Sequence, residues 1–245
     1  IYVPLEEVSR LETLPGEGPE WCAVLPRVWR DRDAPALRSQ LERARALGFT
    51  GVLIGNLGHL PLVRGMDFRL YGDYGLNVFN SRSLAYLKEK GLESACVSFE
   101  LRFAQIRDLK KVLPAEAIVY GRLPLMITEN CLVQNETGCR LDRQGACVPK
   151  DGPCCRPTVL KDRTGAAFPL LPAYGHRTEI QNSRPLYLAD RPDYRKLGLS
   201  LARLRFTTET AEECVSVLRS YLDGAPAAGP FTRGLYERGV ESGPS

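Results

Sequence analysis

The sequence predicts an α/β fold: a TIM-barrel-like parallel sheet, incomplete or open, with a cysteine-rich β-hairpin insertion. Three observations predict it. Six short apolar or β-branched runs precede residue 125, separated by turns and helical stretches. A seventh run stands at 201–206. Between them, residues 128–183 break the rhythm and hold five of the eight cysteines. Strands alternating with helices imply parallel pairing through right-handed connections. Seven strands is one short of a closed eight-stranded barrel.

The elements follow in order. Ile1-Tyr2-Val3-Pro4-Leu5 is the first strand-like run and Cys22-Ala23-Val24-Leu25-Pro26 the second. Leu37, Leu41, Ala44 and Leu47 recur at three- and four-residue spacing, one apolar helix face, and Gly48 ends that helix. Gly51-Val52-Leu53-Ile54-Gly55-Asn56 is a buried strand, and Arg69-Leu70-Tyr71-Gly72-Asp73 the next. A helix over about Ser81 to Lys90, closed by Gly91, leads to the strand Ala95–Phe99. A helix carrying Ile106, Leu109 and Leu113 leads to Ala117-Ile118-Val119-Tyr120. The late run Leu201–Phe206 is followed by a helix opening at Thr210-Ala211-Glu212-Glu213, a capping-box pattern.

These elements divide the chain into barrel-like units over 1–127, a cysteine-rich β insertion over 128–183, a closing helix–strand–helix over 184–223, and a tail over 224–245. Within the insertion, Val159–Leu170 reads as two strands around a turn at Thr164-Gly165. Insertions of this length after a barrel strand are usually functional. The stretch Ala225-Pro226-Ala227-Ala228-Gly229-Pro230 reads as a linker.

Composition excludes several classes. With 44% apolar and 25% charged residues the chain is globular rather than disordered, collagen-like or coiled-coil. No run approaches the roughly 18 apolar residues of a membrane helix, and no signal region opens the chain. The setting expected is cytoplasmic, with no membrane partner. The chain begins at Ile1 without an initiator Met and reads as a piece of something longer. Thirty-three Lys and Arg against 29 acids give a net charge of +4 without a basic block.

The ordered set of short motifs resembles the collagenase-like U-32 peptidase family. Its carriers are Gly72-Asp73-Tyr74-Gly75-Leu76-Asn77-Val78-Phe79-Asn80-Ser81, Ser98-Phe99-Glu100-Leu101, and Val119-Tyr120-Gly121-Arg122-Leu123-Pro124-Leu125-Met126 with Cys131 beyond. Leu160-Lys161-Asp162-Arg163, Asn182-Ser183, Pro185-Leu186-Tyr187-Leu188 and Phe231-Thr232-Arg233-Gly234 continue it. The likeness is to the C-terminal, barrel-like domain of long multidomain members. It implies a TIM-barrel-like fold and a peptidase acting on peptide or collagen-like substrate together with the rest of its parent chain. Other members hydroxylate an RNA base with a four-cysteine iron–sulfur cluster, which implies structured RNA as the alternative partner. Pro124 stands where those members carry a first cluster cysteine, and His176 where a later one is expected.

Ligand chemistry adds a metal expectation. Cys22, Cys96 and Cys214 lie in apolar runs and read as core residues. Cys131, Cys139, Cys155 and His176 form a Cys3His set suited to zinc ahead of an iron–sulfur cluster, with Cys147 or Cys154 as alternates. Free thiols or a disulfide are the competing state, since no Cys-x-x-Cys pair is present.

Barrel chemistry gathers at the C-terminal strand ends, where the sequence places Asn56, Asp73, Asn77, Glu100, Arg122 and Glu129. Glu100 follows an apolar run, and partial burial there suits general acid–base work. Arg122 suits bidentate binding of a carboxylate or phosphate. Asp73 and Asn77 complete the candidate catalytic set. Each of these residues equally suits an ion pair or cap that holds a loop. Tyr71, Tyr74, Phe79 and Tyr120 could stack a base or sit in the core. His59 follows a strand on the expected active face, but no motif builds a Ser or Cys triad around it. The His-Glu-x-x-His signature of a zinc hydrolase is absent.

Overall fold

The alternating runs become strands, and the helical stretches bury the faces their spacing marks. In the computed structural model, residues 1–8, 10–15, 18–137, 140–141, 147–148 and 158–240 are described. The chain divides into two units, Ile1–Ala117 with Arg195–Ala202 and Leu235–Ser245, and Ile118–Tyr194 with Arg203–Gly234.

The first unit carries β1 (Tyr2–Pro4), the one-turn α1 (Leu5–Val8), β2 (Cys22–Val24), α2 (Ala34–Ala46) and β3 (Gly51–Ile54). α3 (His59–Val63), β4 (Arg69–Gly72), α4 (Ser81–Glu89), β5 (Leu92–Cys96) and α5 (Phe103–Asp108) follow. β6 (Ala115–Gly121) begins here and ends in the second unit. β1 to β6 pair in chain order, all parallel. α2 starts beside Pro35, whose fixed φ suits a first turn, and buries Leu37, Leu41 and Ala44 completely. Burial of a leucine of this kind stabilises by about 1.5–3 kcal/mol. α4 opens on Asn80, whose side chain accepts the Arg82 and Ser83 N–H groups at 3.0 and 2.9 Å.

α5 is shorter than its apolar spacing suggests. Leu109 already has extended ψ, and the Lys111 ammonium donates to the Ile106, Arg107 and Leu109 carbonyls at 2.6, 3.3 and 3.2 Å. Leu113 precedes Pro114, a position that disfavours helix; its side chain is buried all the same.

The second unit holds β7 (Pro124–Thr128), α6 (Leu132–Thr137), β8 (Arg140–Leu141), β9 (Cys147–Val148), β10 (Thr158–Lys161), β11 (Ala167–Ala173) and β12 (Arg177–Gln181). β13 (Leu186–Tyr187) and α7 (Ala211–Asp223) come next, and between them β14 (Leu201–Leu204) begins in the first unit and ends in the second. β10, β11, β12 and β7 form an antiparallel sheet in that order. Its β10–β11 turn is built by Asp162, whose carboxylate accepts the N–H groups of Thr164 and Ala166 at 2.8 and 3.0 Å while Gly165 takes φ 84°. The hairpin read at 159–170 is therefore present, but no cysteine lies within it. Cys139, Cys154, Cys155 and the side chain of Cys147 lie outside the described residues.

β13 pairs antiparallel with β6, Leu186 opposite Gly121 and Tyr187 opposite Tyr120, and β14 also pairs with β6. The main sheet thus has eight strands in the order β1-β2-β3-β4-β5-β6-β13 with β14 beside β6. It is parallel-rich and open, as expected of an incomplete barrel. Beyond Gly229, Thr232 bonds along β13 through Tyr187 N–H to Thr232 O at 3.1 Å and Thr232 N–H to Pro185 O at 2.9 Å. Tyr236, in the first unit, stacks on Phe103 at 5.2 Å. Among the described residues no helix is long and apolar enough to cross a membrane.

Candidate functional site

In the first unit, the segments leaving β2, β3, β4 and β5 carry the polar and aromatic side chains of the parallel sheet's C-terminal edge. The β3–β4 ladder continues past the strands, with the Asp73 N–H donating to Ile54 O at 2.8 Å. The chain then makes a 3-10 turn over Tyr74–Leu76 and leaves it at Asn77, whose φ of 51° is left-handed. Asparagine tolerates that region better than most residues, so the turn alone accounts for Asn77. Gly75 admits no side chain: a Cβ there would lie 2.6 Å from Gly55 O and 2.9 Å from Arg27 Cδ.

Three side chains line up on this edge. The Arg27 guanidinium lies 5.3 Å from the centre of the Tyr74 ring, and Tyr74 lies 5.7 Å from Phe99. All three are half-buried, as is Glu100, whose N–H donates to Ser98 Oγ at 3.3 Å. Asn56 and Leu57, after β3, and Asn77, after β4, are exposed, while Asp73 is only 6% exposed. A cation, two aromatic rings and exposed amides suit extended peptide chemistry, with ring faces for apolar side chains and amides for backbone groups.

His59 sits beneath this edge. It is fully buried, and its Nε2–H donates to the Pro26 carbonyl at 3.1 Å, which fixes the tautomer. Nδ1 has no hydrogen-bond partner among the described residues. Its ring lies 5.8 Å from Trp29. Burial pushes its pKa down to about 4, against the smaller opposing effects of the Pro26 carbonyl and the Asp73 charge. The imidazole is neutral and walled in, which does not suit a base that must reach a substrate or a nucleophile.

Asp73, Asn77 and Glu100 belong to the first unit and Arg122 to the second. Arg122 spends its donors within its own unit: Nη1 donates to the carbonyls of Asn182 and Ser183 at 3.0 and 2.5 Å, and Nε to the Thr208 hydroxyl at 3.4 Å. Arg177 Nη2 donates to both carboxylate oxygens of Glu129, at 3.2 and 3.0 Å. Of the expected metal set, Cys131 is buried at the start of α6, where its Sγ accepts the Gln134 N–H at 3.4 Å. His176 lies in the β11–β12 turn with left-handed φ of 61°. These two are the members whose side chains are described, and no group of three or more metal-ligating side chains occurs among the described residues. The other members of the set, Cys139 and Cys155, lie outside the described residues.

Of the four aromatic candidates, Tyr71 and Tyr120 are core residues bonded to Glu20 and Glu209. Phe79 is 37% exposed. Sequence reasoning missed Arg27 and Trp29. They follow the second strand run just as Asn56 and Asp73 follow theirs, so the same positional rule applied to β2 would have found them.

The model of peptidase family U32 matches residues 12–157. None of the curated proteins matches the chain. A solved structure of the U32 peptidase Mk0906 is similar at 15% identity, over 49% of this chain and 60% of its own, with a TM-score of 0.37. The chain thus spans three fifths of the length of that structure.

Proposed function

The chain belongs to peptidase family U32, and from that premise we propose that it is a peptide-binding, barrel-like domain of a collagenase-like peptidase that does not cleave peptides by itself. The observation that carries the binding half is the half-buried line Arg27–Tyr74–Phe99 at the C-terminal strand ends, where parallel barrels place their ligands. His59 supports the other half. A serine or cysteine nucleophile needs an accessible imidazole base, and His59 is buried with Nε2–H committed to Pro26.

The test incubates the chain with gelatin and collagen-derived peptides, with and without chelator, and reads products by mass spectrometry and binding by Trp fluorescence. Saturable peptide binding without new products is the expected result, with Tyr74→Ala weakening it about tenfold. Cleavage by the chain alone, or no binding to any peptide, would overturn the proposal.

A further inference from the structure

α7, in the second unit, is held to its own core along one face. It opens on the reciprocal Thr210–Glu213 cap and closes on Gly224 at φ 69°. Tyr221 is the anchor: its hydroxyl donates to Val119 O at 2.5 Å and accepts the Leu188 N–H at 2.8 Å. The side of the helix about a quarter-turn from Tyr221 is apolar and open to solvent, with Val215, Leu218 and Leu222 exposed by 49, 50 and 73%. Ala211, also exposed, extends the row.

The spacing of 211, 215, 218 and 222 alternates four and three, the seam of a two-helix coiled coil. A groove of about 540 Å³ flanks it, lined among others by Ala211, Glu212, Val215, Ser216 and Arg219. Glu212 and Arg219 are exposed and each directly follows a seam residue, so they share one flank seven residues apart. That arrangement is self-complementary in one orientation only. If two α7 helices cross antiparallel about a two-fold axis between Val215 and Leu218, Val215 faces Leu218 of the second copy and Ala211 faces its Leu222. Glu212 of each copy then falls beside Arg219 of the other. In a parallel pair, Arg219 would meet Cys214 instead.

We propose that α7 is a self-association surface, pairing antiparallel with α7 of a second copy of this chain through the Val215–Leu218–Leu222 seam and two Glu212–Arg219 contacts. Such an interface is isologous, each residue contacting its counterpart's partner. Thirteen residues of helix span about 20 Å, and the area covered falls below the roughly 800 Å² per partner of a standard interface. The association is therefore weak and concentration-dependent.

Sedimentation velocity of the full chain across a concentration series, with the fold of each variant checked by far-UV circular dichroism, is the test. A monomer–dimer equilibrium is expected, lost in Leu218→Glu. Glu212→Arg and Arg219→Glu should each weaken it about tenfold, and the double reversal should restore it, because only reciprocal pairing survives exchange of both charges. A chain monomeric at every concentration, or a dimer indifferent to the charge reversals, would overturn the proposal.

Discussion

Arg233 clasps Asp190 with both ends of its guanidinium, Nη1 at 2.6 Å from Oδ1 and Nη2 at 2.7 Å from Oδ2. Nη1 also donates to the Tyr187 carbonyl at 2.7 Å, and the guanidinium lies 4.4 Å from the Phe231 ring centre. A lysine reproduces neither the fork nor the stacking. Arg233→Lys should therefore lower stability at neutral pH by about 1–2 kcal/mol, read from urea midpoints at constant slope. The Arg233 hydrogen bonds hold the Asp190 carboxyl below its ordinary value of 3.8. A depressed carboxyl contributes stability above the unfolded value and loses it as pH falls through the folded one. The gap between wild type and variant should thus narrow below pH 3.8, to the part that the Phe231 stacking and the Tyr187 bond supply; a gap of unchanged size there would refute the pairing.

His59 should be invisible to titration across the physiological range. Its folded pKa of about 4 stands below the ordinary 6.5, so the unfolded chain binds the proton more tightly. The neutral imidazole contributes stability fully above pH 6.5, and that contribution falls away as pH drops from 6.5 toward 4. The loss over this interval is about 3 kcal/mol. Imidazole proton shifts, assigned with His176→Gln, should stay flat from neutrality down to mildly acid pH. A His59 midpoint near the ordinary value would contradict the burial and with it the argument against a general base.

Arg122 should matter for the fold before it matters for any ligand. Its bonds to Asn182, Ser183 and Thr208 tie together segments 60 and 86 residues away. Arg122→Ala is expected to lower stability by about 1–3 kcal/mol while the folded fraction keeps its peptide affinity. Loss of affinity in a fully folded variant would instead make Arg122 a ligand contact.

The parts of the fold legible in the sequence are those set by local physics. Gly51–Ile54 is a run of strand formers buried at every position, and Thr210 with Glu213 forms the cap its spacing announces. β13 was not legible, because two residues carry no periodicity and the strand exists only through its pairing with β6. The C-terminal strand ends could be located from the run boundaries, which is how Asp73, Asn77 and Glu100 were found. What each side chain does there depends on distant partners. Arg122 looked available for a ligand until its carbonyl acceptors came into place, and His59 looked accessible until the Pro26 carbonyl, 33 residues earlier, accepted its Nε2–H.

The closest approach on the candidate edge gives the sharpest test of its geometry. A Cβ on Gly75 would lie 2.6 Å from Gly55 O, with Arg27 Cδ and Cγ at 2.9 and 3.0 Å. The arginine stem can swing aside, but the backbone oxygen cannot. Gly75→Ala must therefore push the segment after β4 away from the segment after β3 and draw Arg27 off the Tyr74 ring. The overpacking should cost about 1–3 kcal/mol, and peptide affinity should fall at least as far as in Tyr74→Ala. Gly229→Ala is the control, since nothing lies within 4 Å of a Cβ there, and it should change neither stability nor binding. If Gly75→Ala behaves like Gly229→Ala, the two segments do not touch as described, and Arg27 is not positioned by them.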